Sequence, residues 1–338
     1  MHLTIKVFIL PIIFVLLFGG CNNQPPNDEI SSTATVVTTP ALEQDVITGT
    51  RIVFVTHGAT SNPFWAVVKR GADQAATDFS LTVEYRSPKE FDMELMAQMV
   101  EEVVTTSPDA LVVSIPDVEA LTPAIENGIR ANIPVISINA GREAATNLGV
   151  LTHIGQLEYE AGSQAGKRLV RAGVRHGFCV NQEVGNLAID ARCQGFSDAM
   201  LEVGGIADTL AVDQTDLVAT QQRIGMALEA VSTVDGILTG GSIGIAALKS
   251  LKEKNMLDKV TLATFDLSPE IIEAIQNEEI LFAVDQQQYL QGYLPVMLLH
   301  LYLSNGHVPV NDVTPTGPGF VTIENVDAVL EATEKGTR

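Results

Sequence analysis

From Arg51 onward, short runs of β-branched and aliphatic residues alternate with longer stretches in which apolar positions recur every three or four residues. These are the periods of a strand and of an amphipathic helix. The runs predict strands over residues 52–56, 81–85, 110–114, 134–138, 177–181, 209–212, 236–239, 260–265 and 281–285. Between them, helical spacing covers residues 63–79, 93–105, 118–131, 157–172, 188–203, 217–231, 243–255 and 269–276. Repetition of strand, helix, strand predicts parallel sheets covered by helices on both faces, an α/β architecture. A further strand-like patch at 152–156 follows the fourth strand with no helix predicted between them, so the first α/β unit is expected to end there and the chain to cross to a second.

The first 50 residues break this pattern. Lys6 precedes an apolar run over residues 7–18 interrupted only by Pro11, which reads as an export signal and is short for a membrane span. Leu17-Phe18-Gly19-Gly20-Cys21 then resembles the bacterial lipobox, which makes residues 1–20 the expected lipoprotein signal peptide and Cys21 the expected lipidation site. Residues 21–50, rich in Pro, Ser, Thr and Asn, are expected to form a flexible tether with a reach of roughly 30 Å.

Composition narrows the function. A chain of 338 residues exceeds one ordinary domain, and 46% apolar with 18% charged residues suits a globular body with a sizeable core. Twenty basic against 41 acidic residues give a net charge of −21, which opposes binding to a phosphate backbone and excludes nucleic acid as the expected partner. With Cys21 assigned to lipid, Cys179 and Cys193 remain, either as a disulfide stapling a strand to the next helix or as two buried thiols.

In open parallel sheets, ligands bind beyond the carboxyl ends of the strands. Here those positions carry His57, Arg86, Ser114, Asn139, Gln182, Asp213, Ser242, Asp266 and Gln286. Each can also serve as a turn or helix cap, so their joint placement carries more weight than any one of them.

Ser61-Asn62-Pro63-Phe64-Trp65 opens the first helix, and further motifs follow in order: Ile133-Pro134-Val135-Ile136-Ser137-Ile138-Asn139, His153-Ile154-Gly155, Arg192-Cys193-Gln194-Gly195-Phe196, Thr264-Phe265-Asp266 and Val284-Asp285-Gln286. Over residues 51–322 the chain resembles the pentose- and hexose-binding proteins of bacterial sugar importers, the ribose-binding-protein-like family. That resemblance implies two similar Rossmann-like lobes with parallel sheets joined by a three-strand hinge, the type I periplasmic binding fold. The lobes are expected at 51–155 plus 287–318 and at 156–286 plus 319–338. It implies ligand contacts by Asn62, Phe64, Trp65, Arg192, Asp266 and Gln286. The chemistry agrees, since a sugar offers C–H patches to flat walls such as Phe64 and Trp65, and hydroxyls to two-way hydrogen-bonding groups.

The chain departs from the family where an Asp-Arg pair becomes Asn139-Ala140, an asparagine becomes Ile115 beside Ser114, an aromatic becomes Thr215, and another asparagine gives way around Gly241-Ser242. In exchange the loop after the fifth strand is Gln182-Glu183-Val184-Gly185-Asn186. Asn139, Glu183 and Asn186 therefore join the expected ligand contacts, with His57, Ser114 and Ser242 as further candidates, and the amide-rich site leans towards a small polyol or short sugar. The implied protein is a monomeric, lipid-anchored, extracytoplasmic binder that needs no cofactor or metal, captures a monosaccharide or small polyol by hinge closure and delivers it to an ABC transporter permease. Three alternatives share parts of the pattern. A signalling lipoprotein would use the same site; a Rossmann-type enzyme would need a Gly-x-Gly-x-x-Gly turn where Thr56-His57-Gly58-Ala59-Thr60-Ser61 stands; and a repressor would carry a basic helix-turn-helix where the lipobox lies.

Overall fold

The computed structural model describes residues 49–338. The expected signal peptide, Cys21 and nearly all of the expected tether lie outside the described residues. From Arg51 the chain runs β1 (Arg51–Val55), α1 (Pro63–Phe79), β2 (Thr82–Arg86), α2 (Met93–Thr105), β3 (Ala110–Ser114), α3 (Val118–Arg130), β4 (Val135–Ile138), α4 (Arg142–Leu148) and β5 (His153–Gln156). It continues α5 (Glu158–Arg171), β6 (His176–Asn181), α6 (Leu187–Leu201), β7 (Ile206–Ala211), α7 (Leu217–Ala230), β8 (Gly236–Gly240), α8 (Ser242–Glu253), β9 (Thr261–Phe265), α9 (Pro269–Gln276) and β10 (Ala283–Asp285). It closes with α10 (Gln288–Asn305), β11 (Val313–Gly317), β12 (Gly319–Val321) and α11 (Asp327–Glu334).

The strands form two six-stranded sheets of matching order, β11-β5-β4-β3-β1-β2 and β12-β10-β9-β8-β6-β7. Every pairing is parallel except β10 with β12. In β1 the period-two alternation sends Ile52 and Phe54 to one face, with Trp65, Val68 and Ala72 of α1 and Val296 of α10, and Val53 and Val55 to the other, with Met96 and Val100 of α2 and Leu121 of α3. Both faces are dry, which is why this strand reads as a continuous apolar run. The second sheet repeats the scheme: Phe178 and Ile237 pack towards α7, α8 and α9, while Cys179, Leu238 and Phe265 pack towards α5 and α6.

Three segments pass between the sheets: from β5 into α5, from β10 into α10, and from β11 to β12. On either side of this hinge a pair of helices crosses at glycines. A Cβ on Gly292 of α10 would lie 1.8 Å from the Val68 carbonyl oxygen of α1, and one on Gly195 of α6 would lie 2.0 Å from that of Tyr159 on α5. Only glycine permits backbones to approach this closely.

Two features depart from the periodicity. The helix α4 does separate β4 from β5, against the expectation of none; it has seven residues of which only Ala145 is buried, too little to make an apolar stripe. The 18-residue α10 escaped the pattern because its buried face includes Gln288, Gln291, Gly292 and Pro295. Cys179 and Cys193 form a disulfide, with Cα atoms 5.6 Å apart, joining β6 to α6.

Candidate functional site

A cavity of about 430 Å³ opens between the carboxyl ends of the two sheets. Its walls include all nine of the principal expected contacts, Asn62, Phe64, Trp65, Asn139, Glu183, Asn186, Arg192, Asp266 and Gln286, together with His57 and Ser242. Ser114 is the exception: fully buried, its Oγ accepts from the His57 backbone N–H at 3.0 Å and lies 2.8 Å from His57 Nδ1, so it supports the histidine without reaching the cavity. Arg86 and Asp213 also fall outside it, the first paired with Glu84 and the second closing a turn onto Thr215.

The apolar wall comes from the start of α1. Asn62 caps this helix, its Oδ1 accepting from Phe64 N–H at 3.0 Å, and Pro63 occupies the first turn, where a missing N–H costs nothing. Capping uses Oδ1 and leaves the NH₂ of this cavity-lining side chain uncommitted among the described residues. Phe64 and Trp65 meet edge to face with centroids 4.9 Å apart; Trp65 is 3% exposed and Phe64 is half-buried. Trp65 belongs to the core as much as to the cavity, and it lies over the preceding turn because position 58 is glycine: a Cβ there would sit 1.8 Å from Trp65 Nε1. Opposite, the second lobe contributes the aliphatic residues Ile189, Leu217 and Ile243.

The polar groups stand at equivalent points of the two sheets. Asn139 ends β4 with φ 62° and Asp266 ends β9 with φ 67°, the left-handed conformation that Asn and Asp tolerate best among residues with a Cβ. The reversal turns each side chain off the strand line into the cleft. Asn139 donates to Gln291 Oε1 at 3.3 Å. Asp266 Oδ1 accepts from Gln286 at 2.7 Å and from Gln288 at 3.2 Å, so both hinge amides fix one carboxylate oxygen. Oδ2 has no hydrogen-bond partner among the described residues and faces the cavity near Gly241. Burial pushes the Asp266 carboxyl up to about 7, against the opposing pull of Arg192 and the Gln286 hydrogen bond.

Arg192 enters from α6, stacks its guanidinium 3.8 Å over the Phe265 ring, and donates from Nε to Glu158 Oε2, with Nη2 2.9 Å from the same oxygen. Glu158 is raised by its burial, which Arg192 and a hydrogen bond from Gln156 partly offset. Nη1 has no partner among the described residues. Two buried acceptor oxygens in the cavity wall, Gln286 Oε1 and Gln288 Oε1, likewise have none. A buried polar atom without a partner is costly, so these are places where a ligand hydroxyl would restore a lost bond.

Glu183 and Asn186 occupy the turn from β6 into α6. Asn186 caps α6, Oδ1 accepting from Ala188 N–H at 3.0 Å, and its NH₂ lies 2.6 Å from Glu183 Oε2 and 3.3 Å from His57 Nε2. Glu183 Oε1 accepts from Gln214 at 2.6 Å. Four contributors escaped the sequence reading of the site: Gln288 and Gln214, which act on Asp266 and Glu183, Gln291 beneath Asn139, and Glu158 behind Arg192. Gln288 had a signal, standing two residues beyond Gln286; the others lie far in sequence from the groups they hold.

The cleft thus combines forked donors, fixed acceptors and apolar walls. Among the described residues no cluster of three or more metal-ligating side chains occurs. Such a lining suits a neutral solute with many hydroxyls and some C–H surface.

Comparison with known proteins fits this geometry. Residues 52–307 match the periplasmic binding protein domain family. A carbohydrate transporter structure from Acidothermus cellulolyticus, in complex with myo-inositol, is 32% identical, covers 86% of this chain and all of its own, and superposes with a TM-score of 0.81. The xylose/arabinose-binding protein of Sulfolobus acidocaldarius is 25% identical over 299 residues, 83% of this chain and 73% of the relative. The glucose-galactose binding protein of Geobacillus stearothermophilus, 21% identical over 82% of this chain and 98% of its own with a TM-score of 0.73, shares the fold. Two parallel sheets with a cleft at their carboxyl ends, matched over more than three-quarters of the chain, make this protein a member of the periplasmic binding protein family, whose members bind solutes and are not enzymes.

Proposed function

We propose that the protein is the extracytoplasmic solute receptor of an ABC importer, which captures a monosaccharide or small polyol between lobes formed by residues 51–155 with 287–318 and 156–286 with 319–338. The observation that carries the reading is the hinge-side cluster, where Asp266 is fixed through Oδ1 by Gln286 and Gln288 while Oδ2 faces the cavity, with Arg192 held alongside. A ligand hydroxyl donating to Asp266 and accepting from Arg192 Nη1 makes charge-assisted bonds, each contributing about 1.5–3 kcal/mol. Phe64 and Trp65 cover its C–H face from one lobe, and Ile189, Leu217 and Ile243 do so from the other. Because these groups belong to both lobes, the ligand binds the closed arrangement better than the open one and shifts the population towards it.

The myo-inositol held by the Acidothermus relative supports a ring polyol as the first ligand to try. Closed lobes then present a joint surface to a membrane permease, and lipidation of Cys21 keeps the body near it. A thermal-shift screen against pentoses, hexoses, pentitols, tetritols and inositols tests the reading, since ligand at 100 times its Kd adds about 2.7 kcal/mol to stability. A rise in Tm with one stereochemical series is the expected result. No rise with any sugar or polyol, alongside a rise with a nucleoside or amino acid, overturns the ligand class.

A further inference from the structure

Three carboxylates stand around the hinge, Glu158 at the start of α5, Asp285 at the end of β10 and Asp266 just past β9, against two guanidiniums. Arg192 answers Glu158, with Nη2 2.9 Å from Oε2, and Arg338 answers Asp285, with Nε 2.7 Å from Oδ2. Asp266 forms no ion pair among the described residues. The other charges of the cavity wall do not make up the difference. Glu183 is a further carboxylate, burial lowers the affinity of its neighbour His57 for a proton, and Lys249 and Glu270 offset one another in charge at the exposed rim.

The hydrogen bonds define what the Asp266 carboxylate lacks. Oδ1 already accepts from Gln286 and Gln288, at 2.7 and 3.2 Å, while Oδ2 faces the cavity without a partner among the described residues. A carboxylate oxygen only accepts, so both amides must turn their NH₂ to it and their Oε1 away. Those two acceptor ends are unpartnered, and both side chains lie in the cavity wall at 2% exposure. One charged and two neutral acceptors are thus gathered at Asp266, with the NH₂ groups of the same amides turned to Oδ1. A hydroxyl carries one donor and brings two lone pairs that need donors in turn. An ammonium carries three donors, no acceptor and the missing positive charge. Burying a carboxylate without a countercharge is costly, and here burial pushes the Asp266 carboxyl up to about 7.

We propose that the hinge side of the cavity is an ammonium subsite and that the captured ring carries a primary amine: an amino sugar or an aminocyclitol, with its –NH₃⁺ on Asp266 Oδ2. The inference rests on the reading of the protein as a sugar or polyol receptor and narrows it to one class. Gln286 and Gln288 supply neutral acceptors beside the charge. Arg192 Nη1 and the Asn62 NH₂ remain as donors for ring hydroxyls, and Phe64 and Trp65 cover the C–H face. The same distribution of charge rejects acidic rings, since a uronate or a sugar phosphate would bring its negative charge against Asp266 and Glu183.

Calorimetry at neutral pH tests this by comparing each of four parent rings, myo-inositol, glucose, galactose and mannose, with its mono-amino derivatives at every ring position. At least one amine should bind more tightly than its parent by about 10-fold or more, the gain of a charge-assisted bond over a neutral one. Asp266→Asn keeps a residue that tolerates the left-handed backbone and removes the charge, so the ratio of the two Kd values should fall to about one. Because that ratio compares two ligands on one protein, a general loss of folding cancels from it. On wild type alone, the N-acetylated form of the best amine, which carries no charge, should lose the gain. Parents that bind as tightly as every amine, or an Asp266→Asn protein that keeps the preference, overturn the proposal and leave the receptor reading standing. Failure of every parent and every amine to bind overturns both.

Discussion

Arg192 Nε donates to Glu158 Oε2 at 2.9 Å, and Nη2 lies 2.9 Å from the same oxygen. This buried pair joins α6 to the first turn of α5 just beyond the hinge crossing, and it holds the guanidinium over the buried Phe265 ring. This arginine of the cavity wall is thus held by a residue that does not itself line the cavity.

Removing that partner strands a buried cation. Glu158→Ala should destabilise the fold by about 3–5 kcal/mol, whereas Glu158→Gln, which keeps an acceptor, should cost less. Urea denaturation of the two variants measures the difference; equal midpoints for Glu158→Ala and wild type would show that Arg192 is held by other means.

Asp266→Ala removes the acceptor proposed to meet the ligand and leaves Gln286 and Gln288 without their common partner. Binding of whichever sugar or polyol the thermal screen identifies should weaken by at least about 1.5 kcal/mol by calorimetry. Asp266→Asn tolerates the same left-handed backbone, so it tests the charge with little conformational cost. Unchanged affinity in both variants would refute the site assignment.

The raised Asp266 carboxyl has a pH signature of definite sign. Its folded pKa of about 7 lies above the unfolded value of 3.8, so its contribution to folding stability is fully present below about pH 4 and is lost as pH rises to about 7. A ligand hydroxyl donating to Oδ2 favours the carboxylate, so binding near neutral pH should release a fraction of a proton. Calorimetry in buffers of different ionisation enthalpy counts that proton, and the count should vanish in Asp266→Asn.

The Cys179–Cys193 bridge closes a short loop, with a sequence separation of 14, between β6 and the helix that carries Arg192. Reducing it, or replacing both cysteines by alanine, should lower stability by about 3 kcal/mol through the freedom regained by the unfolded chain. Thermal denaturation with and without reductant checks this; an unchanged Tm would mean that the native packing of α6 gains as much as the chain loses.

Much of the fold can be read along the chain, because each strand that lies between two helical layers must be apolar on both faces. Residues 52–56 and 110–114 announce β1 and β3 in this way, and the helices α1 and α2 lie where their apolar spacing places them. The α4 and α10 helices do not announce themselves, the first for want of a stripe and the second because it buries Gln288 and Gln291. Asn139 and Asp266 are legible for a related reason: a strand that ends in a left-handed residue favours Asn or Asp, and that position opens onto the cleft.

Local pattern by itself therefore determined the α/β layering and the line of polar residues beyond the strands, since both follow from periodicity and from conformations that a few residue types tolerate. It left open whether Cys179 meets Cys193, that Ser114 serves His57 and does not reach the cavity, that Glu158 holds Arg192, and that Asn186 meets His57. Those were decided only by the tertiary structure. Each depends on groups brought within hydrogen-bonding or covalent reach by the packing of separate helices, strands and lobes, and a hydrogen bond is set by ångström distances and donor direction that no one-dimensional spacing encodes.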